Sequence, residues 1–214
     1  DGWSTGFLGV DNPSENTRDW TLLRSVSTFV IDELKKRRLL LDLEYASYRD
    51  LLTGLNNRNY YQKFLDELKL SPPGSLGIVY IDINGLKAAN DSYGHQYGDY
   101  IITQSALILK RFFPDCAFRI GGDEFLVYSP GVAENQIAER VARIRRIFDH
   151  TFEGKSQAYR ISCSLGVAAC PKDGSTFETL FHCADLALSM AKMEGRDRWC
   201  RYNEKMSGMS YLNS

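Results

Sequence analysis

Residues 117 to 128 of this 214-residue chain read Ala-Phe-Arg-Ile-Gly-Gly-Asp-Glu-Phe-Leu-Val-Tyr, two short apolar runs joined at a glycine pair that opens onto two carboxylates. A glycine pair between β-rich runs predicts a tight hairpin, since glycine takes the positive φ of a primed turn at little cost. The chain must then reverse there and lay two strands side by side. Asp123 and Glu124 directly follow a turn without side chains, so a bulky charged ligand can approach the backbone with hard oxygen donors beside it. The same residues also fit a solvated hairpin whose acids face water. A second run shifts the balance. Leu76 to Ile81 is a nearly unbroken apolar stretch, the pattern of a central strand covered on both faces, and it ends at Asp82. An acid at the end of a buried strand, with a second acid on a neighbouring hairpin, can hold Mg²⁺ against a nucleotide's phosphates.

The rest of the chain alternates helical and strand patterns. From Asp19, apolar residues at Leu23, Val26, Val30 and Leu34 form one stripe and Leu22, Val26 and Phe29 another, continuing through Leu40, Leu43 and Tyr48. About thirty residues without glycine or proline predict a connector or coiled-coil helix. Glu33, Lys36 and Arg37 fall where a two-stranded seam wants apolar side chains, so pairing there is weak. A helix follows over Arg58 to Leu70, stopped by Pro72-Pro73-Gly74. Beyond Asp82 the pattern predicts a polar loop over 84–98 and a helix from Asp99 with Ile102, Leu109 and Phe113 inward. Another helix runs from Glu134 to Asp149, residues 159 to 168 alternate as a strand, and a last helix carries Phe177, Leu180, Phe181, Ala184, Leu188 and Ala191. Helices and strands mixed around a central hairpin give an α+β or α/β sheet with helical cover.

A formal net charge of −1 gives no sign of a sequence-independent grip on nucleic acid or on an anionic membrane, but leaves room for one nucleotide at a local positive site. No stretch approaches the roughly 18 apolar residues of a membrane helix. The five cysteines are widely spaced and never in a C-x-x-C arrangement, and His95, His150 and His182 show no ligand spacing with them. Reduced thiols, a cytoplasmic setting and no structural zinc are expected. The opening Asp1-Gly2-Trp3 is no signal peptide and starts in mid-pattern, as a piece of a longer protein would.

Gly121-Gly122-Asp123-Glu124-Phe125 resembles the signature of the GGDEF domains, the diguanylate cyclases. Four other blocks match that family in order: Asp50-Leu51-Leu52-Thr53-Gly54-Leu55-Asn56-Asn57-Arg58, Asp82 through Asp91, Gly94-His95-Gln96-Tyr97-Gly98-Asp99, and Ala191-Lys192-Met193-Glu194-Gly195-Arg196. The resemblance implies a central, mostly antiparallel sheet of the ferredoxin-like kind shared with nucleotide cyclases and polymerase palms. It implies condensation of two GTP into cyclic di-GMP and pyrophosphate by a homodimer of domains, each site holding one GTP. A GGDEF domain without turnover, serving as a GTP or cyclic di-GMP sensor or docking module, is the alternative. Residues 1–18 look like the end of a GAF sensor domain, 19–49 a connector helix, 50–206 the catalytic domain and 207–214 a tail.

Site residues follow from the resemblance, each with chemistry that suits it. Asp82, Asp123 and the Ile83 carbonyl would hold a pair of Mg²⁺ or Mn²⁺ ions, while Glu124 acts at the metal or on the attacking hydroxyl. Asn90 and Asp99 would read guanine, a carboxylate accepting from its N1 and amino groups. Lys192 and Arg196 would hold phosphate, and the amides of Gly85, Leu86 and Lys87 would cradle it. Plainer roles also fit: a helix N-cap for Asp99, a loop residue for Asn90, helix-end cations for Lys192 and Arg196. Asn84 and Leu86 depart from the family's usual Asp and Phe. At the family's R-x-x-D inhibitory site Asp115 is in place but Phe112 stands where arginine belongs, and Arg111 is one residue early. No working inhibitory site is expected.

Overall fold

The computed structural model describes residues 20–70, 75–132, 134–152 and 161–208. The sensor-like segment 1–18, the helix start at Asp19, the Pro72–Gly74 stop, the first residues of the 159–168 strand and the tail beyond 208 lie outside them.

The chain divides into two units, one ending at Ser47 and one beginning at Tyr48. The first contributes α1, Thr21–Ser47, a 27-residue helix with no buried residue. Ser25 and Thr28 hydroxyls donate back to the carbonyls of Thr21 and Arg24, and Arg38 pairs with Asp42 one turn on. Along it Trp20, Leu22, Phe29, Leu40 and Leu43 stand more than half exposed.

The second unit is built on five strands: β1 (Leu76–Asn84), β2 (Ala117–Arg119), β3 (Glu124–Pro130), β4 (Ser162–Cys170) and β5 (Trp199–Arg201). Their order is β2-β3-β1-β4-β5. All neighbours are antiparallel except β4 and β5, which run parallel. Around the sheet lie α2 (Arg58–Leu70), α3 (Leu86–Tyr93), α4 (His95–Phe112), α5 (Glu134–Phe152) and α6 (Phe177–Met193). The β1-α-β2-β3-α5-β4 succession is the ferredoxin-like arrangement, an α+β fold with β5 added at one edge.

Alternation along β1 divides its side chains between two cores. Val79, Ile81 and Ile83 join Phe125 and Val127 of β3 under Ile101 and Leu109 of α4 and Ile137, Val141, Ile144 and Phe148 of α5. On the other face Ile78 and Tyr80 join Leu126 under Phe64 of α2 and Leu180, Ala184 and Leu188 of α6.

Three local expectations are corrected. Segment 84–98 is no loop but α3 and the start of α4, separated by Gly94 (φ 82) and preceded by Gly85 (φ 85). Leu86 and Ala89 are its buried residues, and its polar outer face masked the helix. Because α4 begins at His95, Asp99 lies within it and is not its N-cap. Finally, β4 does not alternate: eight consecutive positions are buried, because it has a strand on each side and helices on both faces.

Candidate active site

The two central strands bring the acids together. Register opposes Asp82 of β1 to Glu124, the first residue of β3, and the Ile83 amide donates to the Asp123 carbonyl at 3.1 Å. Beside them opens a cleft of about 540 Å³. Asp82, Ile83 and Asp123 form one wall, Gly85, Leu86 and Lys87 at the start of α3 another, and Lys192 and Arg196 from the end of α6 a third. Asp91 of α3, to which no role was assigned from sequence, lines it as well.

The signature turn differs from the expected primed hairpin. Neither Gly121 nor Gly122 has a positive φ. The Ile120 and Gly121 amides both reach the Glu124 carbonyl, at 3.0 and 3.4 Å, closing a wider loop. Arg119 holds that loop from inside: Nε donates to the Gly121 carbonyl at 3.2 Å and Nη2 to the Gly122 carbonyl at 3.0 Å. Its Nη1 donates to both carboxylate oxygens of Asp50, at 3.1 and 3.2 Å. Asp50 in turn accepts from the Thr53 amide (2.8 Å) and hydroxyl (2.6 Å). Burial opposes ionisation of Asp50, but the Thr53 bonds and Arg119 outweigh it and hold the carboxyl below its usual range. The glycines serve approach rather than φ. A Cβ on Gly121 would lie 2.7 Å from Glu124 Oε2, whereas one on Gly122 would meet nothing.

Lys192 Nζ donates to Asp82 Oδ2 at 2.6 Å. Burial raises Asp82 above the usual carboxylate range, Lys192 lowers it in part, and the charges of Asp123 and Glu124 raise it further. Asp185 of α6 is raised too, first by burial, with Glu124 adding to the rise and His182 and Lys192 opposing it. An ammonium already seated on Asp82 shows that this carboxylate attracts a cation. The donor set, two carboxylates and a backbone carbonyl, suits Mg²⁺ or Mn²⁺, which take oxygen ligands and leave positions to phosphate and water. Among the described residues no group of three His, Cys, Asp or Glu forms a complete protein cage.

Asn84 lines the cleft and is tied to β4. Its amide donates to the Ser162 hydroxyl at 3.0 Å and accepts from that of Ser164 at 3.1 Å, both on β4, which ties the side chain to the sheet without a charge. Leu86 is buried in the core. Asn90 of α3 is half-buried and Asp99 of α4 exposed; both stand on helices that pack together, but neither lines the cleft. The Asn90 Oδ1 is buried without a hydrogen-bond partner and lies against Gly98, where a Cβ would fall 1.9 Å away. Glu124 also lies outside the cleft lining. Away from the cleft, Phe112 carries the Arg143 guanidinium over its ring at 5.6 Å, and Asp115 (φ 62) faces Arg49 at 3.8 Å. Arg111 is exposed.

Residues 47–198 match the family model described as diguanylate cyclase, GGDEF domain. Over 180 residues the chain is 33% identical to the cyclic di-GMP phosphodiesterase PdeR of Escherichia coli, covering 82% of this chain and 27% of PdeR. Over 182 residues it is 31% identical to the diguanylate cyclase DgcS of Shewanella oneidensis, covering 82% of this chain and 60% of DgcS. The chain thus spans only part of these relatives. Among solved structures, the coiled coil and GGDEF domain of DgcB from Caulobacter crescentus in complex with c-di-GMP superposes with a TM-score of 0.74 at 26% identity, over 85% of this chain and 99% of that one. The active GGEEF domain of a diguanylate cyclase from Vibrio cholerae gives 0.60 at 25% identity, over 70% and 98%. With its signature acids at the mouth of a ferredoxin-like sheet and a family match over most of its length, this chain belongs to the GGDEF domain family of diguanylate cyclases.

Proposed function

We propose that the chain condenses two GTP molecules into cyclic di-GMP and pyrophosphate when two of its catalytic units meet face to face. The observation that supports this reading best is the convergence in one cleft of Asp82 and Asp123 with Lys192, Arg196 and the amide-rich start of α3. Lys192 and Arg196 hold the phosphates, and Gly85, Leu86 and Lys87 receive them on backbone amides. Asp82, Asp123 and the Ile83 carbonyl would hold Mg²⁺ or Mn²⁺, which would offset the charge that builds on the α-phosphate. Asn90 and Asp99 hold guanine, the unbonded Asn90 oxygen accepting from the base. The 3′-oxygen of the nucleotide on the second subunit bonds to the α-phosphorus and the bond to the bridging oxygen of the β-phosphate breaks. Glu124 takes the hydroxyl proton and pyrophosphate leaves. Repeated in the opposite sense, the step closes the ring.

One site holds one substrate, so the rate depends on bringing two sites together. The connector 19–49, whose helix α1 carries exposed apolar residues, is the means of pairing the catalytic domain 50–206, and a sensor ending at residue 18 is the source of control. Substrate supply places the reaction in the cytoplasm. Incubating the purified chain with GTP and Mg²⁺ and separating the products tests the reading: cyclic di-GMP and pyrophosphate are expected. GTP that binds but is recovered unchanged would favour a silent nucleotide sensor instead.

A further inference from the structure

Tyr80 precedes Asp82 by two residues on β1, and the antiparallel register sets Tyr80 opposite Leu126 and Asp82 opposite Glu124. Residues two apart on a strand share a face, so Tyr80, Asp82 and Glu124 all project toward the side covered by α6. There the Phe181 ring packs on Tyr80 with centroids 5.1 Å apart. Tyr80 is 7% exposed, and a phenol hydroxyl buried that deeply needs a polar partner. Glu124 stands one diagonal step across the strand pair, within reach of a side chain as long as tyrosine's, and its charge acts on the phenol. On its other side Glu124 Oε2 rests over Gly121, too close for any side chain there. Glu124 is therefore gripped between the core and the bare backbone of the signature turn.

We propose that Tyr80 is a positioning residue for the cyclase reaction: its hydroxyl donates to Glu124 and holds that carboxylate beside Asp82 before substrate arrives. The role rests on the cyclase reading of the site. A phenol keeps its proton through the neutral range, so the hydroxyl is available as a donor. A phenylalanine would fill the same core space. What the hydroxyl adds is the bond to Glu124, without which an acid at the first position of a strand following a loop is free to change rotamer. Asp185, half-buried nearby, repels Glu124 and makes the retaining bond more consequential.

The test is a double-mutant cycle of Tyr80→Phe and Glu124→Gln, because a residue that acts only through another loses its effect once that other is gone. Tyr80→Phe should lower kcat about tenfold, the scale of one hydrogen bond to a charged group, with KM for GTP within about twofold and an unchanged melting temperature. In the Glu124→Gln background it should change nothing further. Equal losses in both backgrounds, or a loss confined to KM or to melting temperature, would overturn the proposal. A second readout needs no turnover. The Glu124 carboxyl carbon, assigned in a ¹³C-glutamate sample by its absence from Glu124→Gln, should shift in Tyr80→Phe. A wild-type chain that makes no cyclic dinucleotide defeats the cyclase reading, and an unmoved Glu124 resonance defeats the role of Tyr80.

Discussion

Lys192 Nζ and Asp82 Oδ2 lie 2.6 Å apart, joining the end of α6 to the end of β1 across 110 residues of sequence. That ammonium offsets a carboxylate whose burial alone works against ionisation. A metal ion and an ammonium repel each other at one carboxylate, so loading Asp82 weakens its hold on Lys192 and frees the lysine toward the phosphates. Lys192→Met should therefore bind Mn²⁺ more tightly than wild type without nucleotide, by roughly tenfold for one charge-assisted bond. With a non-hydrolysable GTP analogue the order should reverse, because the variant lacks a phosphate contact. Electron paramagnetic resonance of free Mn²⁺ measures both, and weakened binding in both conditions would contradict the exchange. Since Asp82 is raised above its usual range, protons should also begin to displace Mn²⁺ at a higher pH than from an ordinary aspartate.

The two signature glycines should respond unequally. Gly121→Ala puts a methyl 2.7 Å from Glu124 Oε2 and displaces the carboxylate, whereas Gly122→Ala meets nothing within 4 Å. Neither position has a positive φ, so neither substitution strains the backbone. Cyclase activity should drop tenfold or more in the first and stay within about twofold in the second, on the scale of one lost charged hydrogen bond. Matched losses would show that the pair is needed for turn conformation after all.

Arg119 offers a separate handle on the same turn. Its guanidinium satisfies the carbonyls of Gly121 and Gly122 while paired with Asp50, so Arg119→Lys keeps the charge but cannot span all three partners. Asp50→Asn should destabilise the domain by on the order of 1–3 kcal/mol at neutral pH, the range for hydrogen bonds to charged groups. The sign with pH follows from the lowered carboxyl. Its contribution is complete above the unfolded value and is lost as pH falls through the folded one, so the gap to wild type should close below about pH 4. Thermal melts from pH 7 to pH 3 read it directly; a constant gap would mean that Asp50 acts by shape alone.

Part of this site could be read in the sequence because apolar runs end where the acids begin. The run 76–81 ends at Asp82 and the matched blocks carry Asp123, Lys192 and Arg196, all of which meet in the cleft. Arg119 and Asp50 escaped because a side chain bridging residues 69 apart leaves no periodic trace, although an arginine two residues before the glycine pair was in view. The bond proposed between Tyr80 and Glu124 left no trace either, since Tyr80 reads as one more apolar residue of a buried strand. Helix α3 was hidden by its polar outer face, and Asn84 read only as a departure from the family's usual Asp until its two serine partners were placed.

The last prediction concerns feedback by product. Phe112 is half-buried, its ring covered by Arg143 at 5.6 Å, so it presents neither charge nor free aromatic face to an anion. Asp115 keeps its position at the end of the α4 turn, but its carbonyl accepts from the Asn56 amide at 2.9 Å and its carboxylate faces Arg49 at 3.8 Å. Arg111 cannot stand in, because a shift of one residue on a helix turns a side chain by about 100°. Without a guanidinium at position 112, no fork is available there to grip the phosphate and guanine of a cyclic dinucleotide. Cyclic di-GMP should therefore inhibit only by competing with GTP, and Asp115→Ala should leave that inhibition within about twofold of wild type, well under the 1.4 kcal/mol of a tenfold change. Kinetics across a range of GTP concentrations, with calorimetry of product binding to Asp115→Ala and Asp99→Ala, decides it. Product binding that survives Asp99→Ala and disappears in Asp115→Ala would establish an inhibitory site at α4.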